Sequence, residues 1–204
     1  MLPYLHEPLE YRTWFLKILR QGNPVFIDVG AYIGGYSVRA CKLGAKVIAI
    51  EPDKENYSLL LRNLELNDCT QVHILNVAAG AKEGVLPLYA LRERYRAQCY
   101  SLVKGETLRD YIRVFPLDEL IPPLLDNYRE IHLVKIDVEG FECETLEGME
   151  NLSKKTRYIM IEVLPANMNE AIRKLSRLGF KVIDYYYYHY PWKRYNLLLK
   201  RVIK

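Results

Sequence analysis

The sequence predicts an α/β fold with a mostly parallel sheet and helices on both of its faces. Short apolar segments of strand length alternate with segments of helical periodicity along most of the chain. A glycine-rich loop directly follows the first of the strand-like segments. The chain has 204 residues, 50% of them hydrophobic, which suffices for the core of one domain and excludes a disordered protein.

Each element is predicted from its own pattern. Helices are predicted where apolar residues recur at spacings of three and four, and buried strands where short β-branched, apolar runs occur. Runs rich in glycine, asparagine and proline end these elements. The predicted order is a lead-in helix at 9–19, strand 25–29, helix 34–43, strand 46–50, a helix around 57–64, strand 71–77, strand 131–136, helix 141–149, strand 158–163, helix 167–178, and strands 180–188 and 195–200.

The alternation stops between residues 84 and 125, where an Arg-rich stretch and a Pro-Pro pair occur. We expect an elaborated crossover beside the ligand edge of the sheet. No linker or internal repeat divides the chain, so we expect one domain over 25–204, preceded by the lead-in helix within 1–24. The short extended pieces predicted inside the irregular stretch are 85–89, 98–103 and 111–115.

The cysteines and the hydropathy of the chain predict the cellular compartment in which the protein lies. The four cysteines, Cys41, Cys69, Cys99 and Cys143, show no CxxC pairing, so we expect packing residues rather than a disulfide framework or a zinc site. No segment has the roughly 18 to 20 consecutive apolar residues that span a bilayer, and the first ten residues do not resemble a signal peptide. A cytoplasmic protein is expected.

Two features of composition are uneven along the chain. Residues 173–204 carry nine Lys or Arg and one acidic residue, against a net charge of +4 for the whole chain. This segment either forms solvated helix and strand faces or attracts phosphates. Five of the 17 tyrosines lie between Tyr185 and Tyr190, where they either line a half-wet pocket or cover a core edge.

The glycine-rich loop reads Asp28-Val-Gly30-Ala-Tyr32-Ile-Gly34-Gly. Its spacing is G-x-x-x-G, and the lack of glycine at Tyr32 disfavours the G-x-G-x-x-G dinucleotide fingerprint. Glu51 ends the next strand, 21 residues after Gly30, where a carboxylate can accept both hydroxyls of a ribose. An adenosine-containing ligand is therefore favoured. The alternative is that the glycines only serve a tight turn and Glu51 caps a helix.

A second acidic turn follows the most apolar strand, where Asp137 and Glu139 stand two residues apart with Lys135 in the same alternation. Ligands of open α/β sheets bind outside the carboxyl ends of the strands, so Asp28, Glu51 and Asp137 are expected along one rim. Acids there can bind a hydroxyl and accept its proton. The alternative is that Asp137 caps the next helix and Glu139 is solvated.

These residues resemble the FkbM family of S-adenosylmethionine-dependent methyltransferases. The resemblance spans most of Val25 to Leu164, and its most specific part is KIDVEGFE after a second strand that ends in Glu-Pro. The remaining matching stretches are IDVGAYIGGYSVRACKLGAKVIAIEPDKENYSLLLRNLELN, VHILNVAAGAKEGVLPLY and FPLDEL. The resemblance implies a Rossmann-like class I methyltransferase fold: a seven-stranded, mostly parallel sheet with helices on both faces and an antiparallel last strand.

The resemblance also implies a set of cofactor contacts. Asp28, Gly30 and Gly34 are expected at the methionine end of S-adenosylmethionine, Glu51 at the ribose, and the stretch from Asn76 to Ala78 near the adenine. The expected set also includes Tyr32 and Pro52, and Asp137 at the methyl group. Tyr32 stands where an asparagine is usual in the family. No metal is expected, because an Asp-Asn pair at a sheet end, as in catechol-type sites, is missing.

For catalysis we expect an in-line methyl transfer to a hydroxyl of a sugar or small metabolite. Asp137 or Glu139 is expected to orient the acceptor and accept its proton, with Glu162 as a third wall and His189 as a weaker candidate. One alternative is an RNA methyltransferase, which would use the basic, aromatic C-terminal edge. Another is a non-catalytic module that binds the cofactor or a partner. Neither the acceptor nor the oligomeric state follows from the sequence.

Overall fold

A seven-stranded sheet forms the centre of the fold. The computed structural model describes residues 9–90, 100–102, 107–125, 130–188 and 194–202. In chain order its helices and strands are α1 (Leu9–Leu19), β1 (Val25–Val29), α2 (Gly35–Lys42), β2 (Lys46–Ile50), α3 (Lys54–Glu65), β3 (His73–Leu75), β4 (Ala78–Ala79), β5 (Gly84–Ala90), β6 (Tyr100–Ser101), β7 (Thr107–Phe115), α4 (Leu117–Leu120), β8 (Ile131–Ile136), α5 (Glu142–Glu147), α6 (Glu150–Ser153), β9 (Thr156–Val163), α7 (Met168–Arg177), β10 (Phe180–Tyr188) and β11 (Arg194–Arg201).

The strand order of the central sheet is β10-β11-β9-β8-β1-β2-β3. Strand β11 pairs antiparallel with both β10 and β9, whereas the pairs within β9-β8-β1-β2-β3 are all parallel. The last strand is therefore the antiparallel one, and the predicted fold class is confirmed. The direction of the chain across the sheet reverses between the neighbours β1 and β8: β2 and β3 follow outward from β1, and β9 follows from β8 on the other side. The loops after β1 and β8 therefore diverge at one edge.

Helices cover both faces of this sheet with apolar side chains. On one face, the ring of Phe15 in α1 meets the rings of Phe26 and Tyr36 edge-on, at centroid distances of 5.3 and 5.0 Å. On the other face, Val134 and Leu175 belong to a larger buried cluster that joins the sheet to α5, α6 and α7. The predicted lead-in helix is thus part of the core. Within the described residues, no helix is both long and apolar enough to cross a membrane.

The irregular stretch predicted over 84–125 contributes three strands to a second sheet, and β4, which precedes that stretch, contributes the fourth. Its four strands lie in the order β4-β7-β5-β6, and β5 pairs antiparallel with β7 along nearly its whole length. The helix predicted at 141–149 is α5, which ends at Glu147, and α6 follows outside the predicted range. At Gly148, directly after α5, an added Cβ would lie 2.0 Å from the carbonyl oxygen of Gly80. The close packing beside Gly80 thus coincides with the end of α5.

The expectation that all four cysteines are unpaired packing residues is wrong for two of them. Cys41, at the end of α2, forms a disulfide with Cys69, which follows α3, and their Cα atoms are 6.0 Å apart. The two cysteines are 28 residues apart in the sequence, so only the packing of α2 beside α3 brings them together. Cys143 is a buried free thiol, as expected, and Cys99 lies outside the described residues. The cysteines therefore no longer indicate a reducing compartment.

Candidate functional site

The loops predicted to form the site lie side by side at one edge of the sheet. Val29 at the end of β1 pairs with Ile50 at the end of β2 and with Ile136 at the end of β8. Ile136 in turn pairs with Ile161, near the end of β9. Because β11 runs in the opposite direction, its first residue, Arg194, begins at this same edge. The acidic residues and loops singled out in the sequence are therefore neighbours in space.

The glycine loop packs directly against the acidic turn. Gly30 has a φ of +76°, and an added Cβ would lie 1.8 Å from the carbonyl oxygen of Asp137. Gly34 has a φ of +89°, and a Cβ there would lie 2.5 Å from Leu60 in α3. Both positions therefore need glycine, for backbone conformation and for space. The loop brings the ends of β1 and β8 into contact, as a site shared between them requires.

Glu51 is held in place by three donors. Its side chain is 5% exposed and accepts hydrogen bonds from the backbone N–H of Tyr32 at 2.8 Å and of Asp53 at 3.0 Å. The amide of Asn56 lies 3.5 Å from the same carboxylate. Burial raises the pKa of Glu51 to about 7, while the two backbone hydrogen bonds act in the opposite direction. Oε1 faces both Asp53 and Asn56, whereas Oε2 accepts from Tyr32, so the second lone pair of Oε2 can still bind a ligand hydroxyl.

The remaining residues predicted to bind the cofactor take different positions. Asn76 donates its side-chain amide to the carbonyl oxygens of Glu51 and Pro52, each at 2.9 Å, and so fixes the backbone of that turn. Tyr32 has a φ of +53° and contributes its backbone N–H to Glu51. Ala78 is buried in β4 at 2% exposure and pairs with β7 of the second sheet. Asn76 and Tyr32 therefore shape the pocket around Glu51.

The buried ammonium group of Lys135 lies near the carboxylates of both Asp28 and Asp137. It is 3% exposed, and its Nζ lies 3.3 Å from Asp137 Oδ2 and 3.6 Å from Asp28 Oδ1. Asp28, which is 1% exposed, accepts a hydrogen bond from Ser37 Oγ at 2.7 Å. Burial raises the pKa of Asp28, and the charge of Lys135 opposes that rise. Alternation in the sequence placed Lys135 beside Asp137, but its contact with Asp28 follows only from the pairing of β1 with β8.

Three predicted catalytic residues come together. Carboxylate oxygens of Asp137, Glu139 and Glu162 all lie within 4.8 Å of one another. The chain has left strand β8 by this point, and Glu139 has a φ of +51°, so a turn rather than strand alternation brings its carboxylate to the cluster. Ser101 in β6 donates its hydroxyl to the carbonyl oxygen of Glu139 at 2.8 Å. The second sheet thereby supports this turn.

Arg194 is a site residue that the sequence did not reveal. Its Nη2 lies 2.6 Å from Glu139 Oε2 and its Nε lies 2.8 Å from Glu162 Oε1. The side chains of all three residues are about one-fifth exposed, at 17% for the arginine and 22% for each glutamate. The excess of basic residues near the C-terminus was the available signal, but composition does not say which of nine cations reaches the acids.

The electrostatics of the acid cluster follow from burial and crowding. Burial raises the pKa of Glu139 to about 7, Arg194 opposes that rise, and Asp137 and Glu142 reinforce it. Burial also raises the pKa of Glu162 well above its usual value, with further rises from Asp137 and Glu139. Both glutamates therefore bind protons more tightly than an exposed glutamate does, and a single arginine does not fully offset this effect.

The spacing of the three carboxylates would admit a metal ion. Arg194 already supplies a positive charge to two of them, so we assign no metal ligands here. Independence from metal remains a prediction.

The second sheet reaches the opposite end of the site as well. Arg109 in β7 contacts Asp53 at 3.4 Å and Glu55 at 2.5 Å, just after the turn that holds Glu51. The neighbouring Asp110 pairs with Lys54 at 2.7 Å. Together with the Ser101 contact, these ion pairs anchor the second sheet at both the Glu51 turn and the Glu139 turn.

The tyrosine-rich strand β10 divides its side chains between the two sheet faces. Tyr186 lies opposite Asn196 of β11, so it shares the face of the acid cluster. Tyr187 lies opposite Tyr195, and their rings are 4.4 Å apart on the other face. Tyr185 is 64% exposed. His189 lies outside the described residues.

Comparison with known proteins identifies related sequences. Residues 28–182 match the methyltransferase FkbM domain. Methyltransferase sdnD of Sordaria araneosa is 30% identical over 161 residues, which are 63% of this chain and 61% of that protein. Hexuronic acid methyltransferase AglP of Haloferax volcanii is 24% identical over 144 residues, 69% of this chain and 56% of that protein. The chain thus spans less than two thirds of the length of either relative.

Solved structures with the same fold cover nearly the whole chain. An rRNA methylase from Streptococcus thermophilus aligns with a TM-score of 0.62 at 11% identity, over 98% of this chain and 99% of that one. Magnesium protoporphyrin IX methyltransferase from Synechocystis, solved with S-adenosylmethionine bound, aligns with a TM-score of 0.59 at 11% identity, over 95% of this chain and 77% of that one. At such low identity, these likenesses establish the fold.

Proposed function

Because the chain belongs to the FkbM methyltransferase family, we propose that it methylates a hydroxyl group of a sugar or small metabolite. The chain is a methyltransferase domain, and S-adenosylmethionine is its expected cofactor. When bound, this cofactor supplies a methyl group on a sulfonium, and the accepting hydroxyl must lose its proton during the transfer. In this proposal the residues around the glycine loop bind the cofactor, and the acid cluster binds the acceptor and removes its proton.

The loops at the sheet edge fit the cofactor. The backbone of Asp137 fills the space where a Cβ of Gly30 would lie, so the glycine loop and the acidic turn border the same site. The methionine end would lie along Asp28, Gly30, Tyr32 and Gly34, and the ribose hydroxyls would bind Glu51 beside Pro52. Asn76 and Ala78 would border the adenine. Asn76 would act by holding the backbone of the turn at Glu51 and Pro52.

The acid cluster directly beside the glycine loop carries the proposal. Gly30 touches the backbone of Asp137, and Asp137 lies with Glu139 and Glu162 in one cluster. A hydroxyl held by these carboxylates would therefore be adjacent to the cofactor loop. Glu139 suits the removal of its proton, because a pKa of about 7 leaves a large ionised fraction at neutral pH together with useful basicity.

The charge of the acceptor edge favours a neutral acceptor. Four acidic residues face two cations, Lys135 and Arg194, so the edge carries an excess of acidic groups. An anionic acceptor such as a polynucleotide would meet repulsion there. A neutral polyhydroxyl compound would find several hydrogen-bond acceptors instead. The four acids are Asp137, Glu139, Glu142 and Glu162. The relative named as a hexuronic acid methyltransferase supports a sugar as the acceptor class, whereas the preference for a neutral sugar rests on the charge of this edge, because a hexuronic acid is itself anionic.

A transfer assay tests the acceptor class. The purified chain is incubated with methyl-labelled S-adenosylmethionine and, separately, with neutral methyl glycosides, glucuronic acid and ribosomal RNA. We expect label on the neutral glycosides as an ether that resists mild alkali. Label released as methanol by alkali would reveal a carboxyl ester, and label on RNA would reveal the nucleic-acid alternative suggested by the basic segment 173–204. Either result would overturn the proposed acceptor.

Substitutions test the roles of the acids. Asp137→Asn and Glu139→Gln should each lower kcat by about 10²- to 10⁴-fold while cofactor binding is retained, because they remove proton acceptors. Glu144→Gln is the matched control, since Glu144 lies on α5 outside the cluster. Full turnover in both cluster variants would contradict the assignment.

Calorimetric titration with S-adenosylmethionine distinguishes an enzyme from a module that only binds a partner. The wild-type chain should bind, and Glu51→Ala should bind far more weakly because the ribose loses its acceptor. Absence of binding by the wild type, or unchanged binding after the substitution, would remove the enzymatic proposal.

A further inference from the structure

We propose that Arg194 is a positioning residue of the acceptor site, which fixes the side chains of Glu139 and Glu162 and supplies the charge that favours an ionised base. This inference deepens the proposed function and rests on it for the identity of the base. Arg194 lies in β11, beyond residue 182, where the match to the family model ends.

The geometry of the arginine is specific. Two different nitrogens of one guanidinium contact two different carboxylates, at 2.6 Å for Glu139 and 2.8 Å for Glu162. The planar guanidinium presents donors in fixed directions, so it sets the separation and orientation of its partners in a way that a lysine does not. The same arginine therefore connects the turn after β8 to the end of β9.

The position of Arg194 in β11 places it on the acceptor side of the sheet. Asn196, two residues further along β11, lies directly opposite Glu162 in the ladder. The two β11 residues therefore share one face with Glu162. Asn196 is 3% exposed, and its side-chain nitrogen Nδ2 has no hydrogen-bond partner among the described residues. Strand β11 thus brings a cation and an unused donor to the same side as the acids.

The charged groups around Glu139 make the arginine necessary. Glu139 faces Asp137, Glu142 and Glu162, all acidic, against Arg194 as its directly bound cation and Lys135 near Asp137. Without Arg194, the acids would repel one another with no cation in contact with the glutamates. Protonation would then relieve the repulsion, and a protonated glutamate is unable to accept the proton of a hydroxyl.

The test compares Arg194→Gln and Arg194→Lys with the wild type. The matched control is Arg157→Gln, because Arg157 is also a surface-reaching arginine on the central sheet but lies at the opposite end of β9. The side-chain carboxyl carbons of Glu139 and Glu162 are titrated by ¹³C NMR, assigned through Glu→Gln variants, and cofactor affinity is measured by calorimetry. The NMR midpoints require no turnover and no knowledge of the acceptor.

In Arg194→Gln, the glutamate midpoints should move up by about 1 to 3 pH units, because an adjacent opposite charge is lost. The rise of kcat with pH should move upward by a similar amount, and cofactor affinity should stay unchanged. Arg194→Lys should keep the midpoints near the wild-type values but lower kcat, since it restores the charge and not the two-point contact. Arg157→Gln should change none of these quantities.

Unchanged glutamate midpoints in Arg194→Gln would overturn the proposal. If Arg194→Gln fails to fold, Arg194→Lys decides the matter, because wild-type kcat in that variant would show that the two-point contact does not position the base. Failure of the proposed function appears differently: the midpoints move as expected, yet no hydroxyl acceptor becomes labelled.

Discussion

Glu139 combines two unfavourable features at one position. Its backbone has a φ of +51°, in a region that residues with side chains rarely adopt, and its carboxylate is largely buried next to other acids. Such a backbone conformation costs about 1–3 kcal/mol and persists only where its surroundings enforce it. Ser101 and Arg194 provide that support, through the carbonyl and the carboxylate of Glu139 respectively. The turn is therefore shaped for the site at some cost to stability.

Gly30→Ala tests the contact between the glycine loop and the acidic turn. The added methyl group would lie 1.8 Å from the carbonyl oxygen of Asp137, so the two loops must separate. We expect a lower free energy of unfolding and a loss of S-adenosylmethionine binding by at least about tenfold, a cost of about 1.4 kcal/mol. Calorimetry and urea unfolding measure these quantities.

The control for this substitution is Gly44→Ala. Gly44 has nearly the same backbone, with a φ of +79°, but nothing lies within 4 Å of an added Cβ. It should lose stability through backbone strain, about 1 kcal/mol, and keep its cofactor affinity. Equal losses of affinity in the two variants would show that the contact with Asp137 is not what matters.

At the scale of elements, alternation predicted the strands and helices of the main sheet, because burial on one or both sides dictates their periodicity. The second sheet was expected only as separate extended pieces. Its strands β5 and β7 are half exposed, and β4 has only two residues, so the apolar pattern that marks a buried strand is weak there. Pairing partners distant in the sequence, rather than local pattern, define that sheet.

The disulfide between α2 and α3 should stabilise the domain measurably. It closes a loop of 28 residues, for which the lost entropy of the unfolded chain corresponds to about 3–4 kcal/mol. Urea unfolding of the wild type with and without a thiol reductant should therefore differ by that order. The double substitution Cys41→Ser and Cys69→Ser should make stability independent of the reductant. An unaltered wild-type transition under reducing conditions would contradict a formed disulfide.

The ion pairs of Arg109 should help to hold the Glu51 turn. Arg109→Ala removes the contacts to Asp53 and Glu55, and Asp53 is the residue whose backbone N–H binds Glu51. We expect cofactor affinity to fall several-fold and amide hydrogen exchange in β7 to accelerate. Arg113→Ala serves as the control on the same strand, since Arg113 lies 3.8 Å from the exposed Glu83 and 4.6 Å from the ring centroid of Phe115. Equal behaviour of the two variants would argue against this anchor.

For the whole molecule, buried acids at one sheet edge dominate the electrostatics. Five carboxyl groups have their pKa raised, and burial is the largest cause for each of them. In the folded state they bind protons more tightly than in the unfolded chain. The site thus holds charges that the fold would be more stable without, which is typical of functional residues. These groups are Asp28, Glu51, Glu139, Glu142 and Glu162.

The ligand-free chain should accordingly be more stable at mildly acidic pH than above neutrality. The pKa of Glu51 rises from 4.5 to about 7 on folding, so its stabilising contribution is present below pH 4.5 and is lost as the pH rises through 7. Urea unfolding at pH 5 and pH 8 should show this fall. Glu51→Gln should reduce the difference by roughly 2–3 kcal/mol.

The control for the pH dependence is Glu65→Gln, which replaces an exposed glutamate at the end of α3. It should leave the difference between pH 5 and pH 8 unchanged. A wild-type chain that becomes steadily more stable up to pH 8 would contradict the raised pKa values.

The sequence by itself determined the fold class, the order of the strands along the chain and the family. It also predicted that Asp137, Glu139 and Glu162 share one region, because strand ends of a parallel sheet meet at a common edge. Only the tertiary structure decided that Arg194 binds two of these acids and that Cys41 pairs with Cys69. Those contacts join segments 28 or more residues apart, and packing, unlike periodicity, leaves no mark in the local sequence.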